Sequence, residues 1–241
     1  MKKINELIII PVYNEEQFVE YVLKEIKCLH PNIDILTVND ASTDRSLKIL
    51  QKENVIILNL PFHCGYGVAL QTGFKYAYKN NYDYIITMDA DGQHPPSEIT
   101  SLFSEIKKDE YDLIIGSRFL KNPKFPTTIP KKIGIFLFKK IIKFYTKITI
   151  TDPTSGFQAL NKKILKFYTT KYYPIDYPDA DLLIMIHKAG FKIKEITILM
   201  LPNPKTATMH SGLKPLYYIF KITISILTTI LRKKESYEQS E

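Results

Sequence analysis

Asp89 and Asp91 stand two residues apart at the end of the apolar run Tyr84-Ile85-Ile86-Thr87-Met88, so in extended backbone both carboxylates point to one side of the chain. Two like charges in one place cost free energy unless a cation or a donor group offsets them, and a hard divalent ion such as Mg²⁺ or Mn²⁺ bridging phosphate oxygens is the usual solution. Gln93 and His94 follow closely enough to complete a set of oxygen and nitrogen ligands. The competing reading is a plain polar turn, because Asp and Gly favour turns and Pro95-Pro96 ends a strand and starts a helix.

The elements that would position this pair are legible in the surrounding pattern. Leu7 to Pro11, Ile33 to Val38, Val55 to Leu58, Tyr84 to Met88 and Leu113 to Ile115 read as buried strands. Between them Glu15 to Leu29, Ser42 to Gln51, Gly67 to Lys79 and Pro96 to Lys107 place apolar residues three and four apart, which predicts helices. The alternation predicts a Rossmann-like α/β fold, a mostly parallel sheet with helices on both faces. In such sheets ligands sit beyond the carboxyl ends of the strands. Polar clusters stand at those ends: Tyr13-Asn14-Glu15 after the first run, Asn39-Asp40-Ala41-Ser42 after the second, Asp89-Ala90-Asp91 after the fourth and Gly116-Ser117-Arg118 after the fifth. Chance would scatter carboxylates over the helices as well, so the recurrence marks a site.

With 241 residues, 45% hydrophobic and 24% charged, the chain can bury a substantial core, and one domain is expected. Cys28 and Cys64 are too few and too isolated for a disulfide framework or zinc cluster, which agrees with a reducing compartment, the cytoplasm. The run from Leu7 to Val12 is short and contains Pro11, so neither a signal peptide nor an anchor is expected there. A formal charge of +8 fits nucleic acid, anionic lipid or a phosphorylated small molecule and does not choose among them.

Asp89-Ala-Asp-Gly-Gln93 after a hydrophobic strand resembles the Asp-x-Asp metal motif of family-2 glycosyltransferases. Other segments match in order: Pro11-Val-Tyr-Asn-Glu15, Val38-Asn-Asp-Ala-Ser-Thr-Asp44, Gly65-Tyr-Gly-Val-Ala69 with Gly73-Phe74, Gly116-Ser-Arg118 and Asp152-Pro-Thr-Ser-Gly-Phe157. The resemblance covers roughly residues 5 to 200 and is nearest to the dolichol-phosphate mannose synthase-like and polyprenyl-phosphate sugar transferases. It implies a GT-A fold and metal-dependent, inverting transfer from a UDP- or GDP-linked sugar to a polyprenyl phosphate or glycan acceptor. It further implies that Pro11, Tyr13, Glu15 and Asp40 hold the nucleoside, and that Asp89, Ala90 and Asp91 form the donor site. Asp89, Asp91 and Gln93 would coordinate Mg²⁺ or Mn²⁺. The chemistry suits these roles: Tyr13 offers a stacking face, and carboxylates accept from ribose hydroxyls or a base N–H. Packing for Tyr13 and helix capping for Asp40 and Asp44 are the structural alternatives, and Asp44 is left to the cap.

Arg118 would then be a phosphate partner through its planar fork. Asp152, Asp179 and Asp181 are the candidates for a base that deprotonates the acceptor; a lipid phosphate is already anionic and needs none. Asp179 and Asp181 also precede the helical pattern Leu182 to Ala189, where cap and first-turn charge would explain them. One departure from the branch stands between Pro202 and Gly212, where an expected Arg is missing and Asn203, Thr206 and Thr208-Met209-His210 occur instead. Either Lys205 takes over as a point charge or donor binding is weaker and differently shaped, and His210 is a further candidate for phosphate contact.

In Leu213 to Arg232 the polar residues Lys214, Lys221, Ser225, Thr228 and Arg232 fall on one helical face, and the rest is apolar. The uninterrupted apolar stretch is too short to span a bilayer, so an interfacial helix against an anionic membrane surface is expected. Lys132, Lys139, Lys143 and Lys147, with Ile135, Phe138, Ile142 and Tyr145 between them, predict a second such helix. Burial of both apolar faces against the protein, or against a second copy in a homo-oligomer, is the alternative. The expected organisation is a catalytic domain over residues 1–212, an amphipathic helix over 213–232 and a disordered tail over 233–241, peripherally bound at the inner membrane face. Three rival readings are a sugar nucleotidyltransferase, whose Gly-rich triphosphate loop is missing after the first strand, a basic membrane or nucleic-acid binding module, and a family member that binds a donor without turning it over, suggested by the altered Pro202 to Gly212 loop. The second is disfavoured because carboxylates cluster where a polyanion would sit, so no nucleic-acid partner is expected.

Overall fold

The computed structural model describes residues 5–121, 125, 129–176, 178–201, 224–229 and 231. Its chain order is β1 (Glu6–Val12), α1 (Val19–Leu29), β2 (Asp34–Asn39), α2 (Ser46–Leu50), β3 (Ile56–Asn59), α3 (Tyr66–Lys79), β4 (Tyr84–Thr87), α4 (Ile99–Ile106), β5 (Leu113–Ser117), α5 (Ile129–Thr146), β6 (Gln158–Asn161), α6 (Lys162–Tyr168), α7 (Ala180–Lys188) and β7 (Ile193–Thr197). A 3-10 turn over Pro96–Glu98 leads into α4. The strands form one seven-stranded sheet in the order β3-β2-β1-β4-β6-β5-β7. All neighbours are parallel except β6, which runs antiparallel to both β4 and β5.

Strand alternation divides the core between two faces. Leu7 and Ile9 of β1, Leu36 and Val38 of β2 and Ile85 of β4 pack with α3, α5, α6 and α7 on one side. Ile8, Ile10, Ile35 and Ile86 pack with α1, α2 and α4 on the other. A central strand buried on both faces has no polar side to show, which is why β1 reads as an almost continuous apolar run. Gly73 sets the distance between α3 and β1: a Cβ there would stand 2.6 Å from Ile9 Cγ2.

Two helices are shorter than their sequence patterns. Instead of beginning at Glu15, α1 begins at Val19, because the Glu15 carbonyl first closes a turn with the amides of Phe18 and Val19. Likewise α2 begins at Ser46 rather than Ser42, because Asn14 Oδ1 accepts from the Thr43 and Asp44 amides and draws that stretch into the loop after β1. The helix predicted around Lys132 to Lys147 is present as α5. Its apolar residues Ile135, Phe138 and Ile142 are buried in the core, while Ile133, Phe136, Leu137, Phe144 and Tyr145 remain exposed. Residues 224–229 are helical, and Ile226 packs into the same core as α7. The rest of the predicted helix over 213–232, the Pro202 to Gly212 loop with Asn203, Lys205, Thr206 and His210, and the tail over 233–241 lie outside the described residues. Among the described residues, no helix is long and apolar enough to cross a membrane.

Candidate active site at the carboxyl ends of the strands

The parallel strands β1, β2, β3 and β4 all deliver their carboxyl ends to one edge of the sheet, and the antiparallel β6 delivers its amino end there. The segment leading into β6, Asp152 to Phe157, therefore meets the Asp89 to Gln93 loop that leaves β4; Thr87 Oγ1 donates to the Gly156 carbonyl at 2.7 Å. Local sequence supports each loop. Gly92 takes φ +77°, which lets the chain turn sharply after Asp91.

The carboxylate pair has a dense set of partners. Tyr66 Oη donates to Asp89 Oδ1 at 3.0 Å. The Asp89 amide donates to His94 Nδ1 at 2.9 Å, which fixes the proton of neutral His94 on Nε2, and that nitrogen stands 3.8 Å from Asp89 Oδ2. Burial lowers the pKa of His94, against the raising effect of Asp89 and Asp91, and its ring stacks on Phe157 at 4.8 Å. Nδ1 is thus committed to backbone, and a role for His94 as a ligand would fall to Nε2 and require the loss of its proton. Asp91 accepts from the Gln93 amide at 3.0 Å and from the Gln93 side-chain nitrogen. Gln93 thus braces Asp91 through its amide nitrogen, and because an amide binds a hard cation through its oxygen, this contact leaves Gln93 among the candidate ligands.

Burial raises the pKa of Asp89, and the nearby negative charge of Asp91 adds to the effect, while His94, Tyr66 and Arg118 oppose it. A divalent cation would remove that cost. The donor set fits one: two carboxylates with hard oxygen atoms, to be completed by phosphate oxygens. Among the described residues, no group of three or more His, Cys, Asp or Glu side chains is arranged to hold an ion by itself.

On the β1–β2 side, Tyr13 is exposed and its ring stacks on His63 at 3.9 Å with an interplanar angle of 21°. His63 Nδ1 lies 2.8 Å from Asp40 Oδ2. Asp40 is buried and also accepts from the Cys64 and Gly65 amides at 2.7 and 2.8 Å. Its carboxylate is therefore largely committed to holding the loop after β3, and what stands exposed beside it is the Tyr13–His63 stack. Glu15 follows on the same loop, its amide donating to Ser46 Oγ at 2.8 Å. Pro11 and Ala90 are buried, Pro11 inside β1 and Ala90 in the core, so either can serve a ligand only through backbone. Asp44 accepts from the Ser46 amide at 2.8 Å and the Glu16 amide at 3.1 Å, which ties the turn before α2 to the loop after β1; it is not the expected cap, since Arg45 holds the cap position and makes no side-chain cap bond.

Arg118 and Asp152 meet each other. The guanidinium grips both oxygens of Asp152 through Nε and Nη2 at 2.6 Å each, and Nη2 also donates to Thr154 Oγ1 at 2.8 Å. Asp152 is 0% exposed and its own amide donates to Glu195, so it lacks the access to solvent or acceptor that a general base requires. Burial opposes the charge on Arg118, but the Asp152 carboxylate outweighs it and raises the pKa. Asp181 is likewise buried, accepting from the Leu182 and Asp179 amides at 2.8 and 3.2 Å and from the Ser225 hydroxyl. Of the three acidic candidates, Asp179 alone is half-buried rather than enclosed, and its charge acts on both Tyr66 and Arg118. Tyr66, His63 and Glu195 carry no signal in the strand-end pattern. Tyr66 and His63 follow β3, whose end bears no acidic cluster, and Glu195 alternates within β7.

The family model for glycosyl transferase family 2 matches residues 7–169. The chain is 32% identical over 211 residues to the UDP-N-acetylglucosamine–dolichyl-phosphate N-acetylglucosaminyltransferase of Methanococcus voltae, covering 79% of this chain and 83% of that one. It is 29% identical over 219 residues to the undecaprenyl-phosphate mannosyltransferase of Micrococcus luteus, covering 86% and 87%. Its fold is similar to that of glucosyl-3-phosphoglycerate synthase from Mycobacterium tuberculosis, a crystal structure with Mn²⁺, UDP and phosphoglyceric acid. The TM-score is 0.72 at 15% identity, over 93% of this chain and 78% of that one. The sheet is that of the GT-A glycosyltransferases, and the chain belongs to glycosyl transferase family 2 and is a glycosyltransferase.

Proposed function

We propose that the protein moves a sugar from a UDP- or GDP-linked donor to a polyprenyl phosphate, with inversion, using Mg²⁺ or Mn²⁺ held by Asp89 and Asp91. The observation that carries this reading is the carboxylate pair at the end of β4, with the Tyr13–His63 stack on loops that leave the same edge of the sheet. The acceptor class rests on the printed names of the relatives, which act on dolichyl or undecaprenyl phosphate.

In this mechanism Tyr13 and His63 offer the nucleobase a planar surface, and Asp40 keeps the loop that carries His63 in place. Asp89 and Asp91 would hold the ion, which supplies positive charge to the diphosphate as it leaves. Arg118, locked by Asp152, adds fixed positive potential beside Asp89 without having to reorganise. A phosphate oxygen of the acceptor is already anionic and attacks without a base; for a hydroxyl acceptor, Asp179 is the residue with access to take the proton. The exposed apolar residues of α5, interleaved with Lys132, Lys140, Lys143 and Lys147, would rest on an anionic membrane surface where the lipid is presented.

The test is thermal stabilisation and turnover with UDP, GDP and their sugar conjugates, with and without Mn²⁺, in wild type and Asp91→Asn. Metal-dependent stabilisation by one nucleotide, absent from the variant, is expected. Equal responses from wild type and variant would reduce the pair to a turn.

A further inference from the structure

We propose that Tyr66 is a positioning residue of the donor site: its phenol holds Oδ1 of Asp89, so that the cation is taken by Asp89 Oδ2 together with Asp91. The inference rests on the donor-site reading above and assigns a role to a side chain that the Asp-x-Asp pattern does not contain.

The geometry is anchored from both sides. Tyr66 opens α3 after Gly65, which takes φ +97° and donates its amide to Asp40 Oδ2 at 2.8 Å. On the other side the Gly67 amide donates to the Asp176 carbonyl at 3.1 Å, and a Cβ on Gly67 would stand 2.5 Å from the Ile175 carbonyl oxygen. The backbone at Tyr66 is thus tied to the nucleoside-side loop through Asp40 and to the segment before α7 through Asp176. From this fixed base the ring reaches Asp89 at 3.0 Å.

The path of that reach is open only because residue 156 is glycine. A Cβ on Gly156 would lie 2.7 Å from Tyr66 Oη and 3.3 Å from Asp89 Oδ2. The hydroxyl has one proton to give and Asp89 Oδ1 receives it. His94 stands on the opposite oxygen with Nε2 at 3.8 Å, beyond hydrogen-bond length, so Oδ2 is the oxygen left for a cation. A carboxylate held in this way presents one lone-pair direction instead of sampling several, which favours an ion that also needs Asp91 and phosphate oxygens in fixed places.

The experiment measures Mn²⁺ affinity of the full chain by electron paramagnetic resonance, with UDP and with GDP, for wild type, Tyr66→Phe, Gly156→Ala and the double variant, alongside melting temperatures without metal. Tyr66→Phe keeps the ring and removes only the hydroxyl. It is expected to weaken Mn²⁺ binding about 10- to 100-fold, the usual effect of losing a partner that orients a metal ligand, with the metal-free melting temperature little changed. Gly156→Ala is expected to weaken Mn²⁺ binding in the wild-type background and to do less once Tyr66 is Phe, because both act on one contact. Unchanged or tighter Mn²⁺ binding by Tyr66→Phe, with wild type binding normally, overturns the role of Tyr66 and leaves the donor site standing. Failure of wild type itself to bind Mn²⁺ with either nucleotide overturns both.

Discussion

In the half of the sheet built from β3, β2 and β1, the groups that stay reachable are rings: Tyr13 and His63 are exposed, while Asp40 is buried and spent on backbone amides and on His63. In the half built from β6, β5 and β7, the charged groups at the same edge are spent on each other. Arg118 is 7% exposed and clasps Asp152, which is wholly enclosed. A cleft of mobile polar ligands needs open groups on one wall, but a wall that must hold its shape while charge develops nearby is better served by ions already paired. The first half is built to be contacted, the second to stay fixed, and Asp89 sits at the seam with Tyr66 reaching it from the first side and Gly156 lying on the second.

Removing Arg118 is the strongest way to break this contrast. Arg118→Ala leaves Asp152 buried and unpaired and is expected to cost about 3–5 kcal/mol of stability in chemical denaturation, whereas replacing both by apolar residues, Arg118→Met with Asp152→Leu, should cost less. If the single variant is as stable as wild type, the second wall is not held by this pair. Asp91→Asn should do the reverse. Its turnover is expected to fall roughly 10²- to 10³-fold with little change in stability, since the loss is of charge directed at the reaction and not of packing. On the reachable side Tyr13→Ala should weaken nucleotide binding by about tenfold or less, read by calorimetry, because the loss is one ring–ring contact.

The smallest effect concerns pH. Burial raises the pKa of Asp181 above its ordinary value, opposed by the Ser225 hydroxyl and backbone amides. A carboxyl that binds its proton more tightly when folded makes the folded state lose stability as pH rises from its unfolded pKa of about 3.9 to its raised folded value, and no further beyond. Melting temperatures across that window should slope downward in wild type and flatten in Asp181→Asn. A wild-type slope that persists unchanged in the variant would assign it to other groups.

Much of the first half was legible because its physics is local. Doubly buried parallel strands are apolar runs, and each ends in polar residues that are neighbours in sequence, as in Asn39-Asp40 and Asp89-Asp91. The second half resisted because its determinants are distant. β6 is a four-residue strand, Gln158–Asn161, with too little pattern to register, and β7 at Ile193–Thr197 is an edge strand with half-buried polar positions. The Arg118–Asp152 pair joins residues 34 apart in the chain, so each looked available when read alone. His63 and Tyr66 carry no such mark for another reason: they follow β3, whose end bears no acidic cluster, and their partners Tyr13, Asp40 and Asp89 lie elsewhere in the chain.

The reversal of β6 has a consequence for how the chain can vary. Because β5 leaves the site edge of the sheet and β6 returns to it as an immediate antiparallel neighbour, residues 118–157 depart and arrive at one place. The two ends are fastened there by the Arg118–Asp152 clasp and by the Gly116 amide bonded to the Phe157 carbonyl at 2.9 Å. Everything between, α5 included, is topologically a cassette on a closed hinge. Because Ile135, Phe138 and Ile142 anchor α5 in the core, an exchange with another family member's segment that keeps those positions apolar is expected to leave strand order unaltered, and such a graft asks whether the segment carries the choice of acceptor.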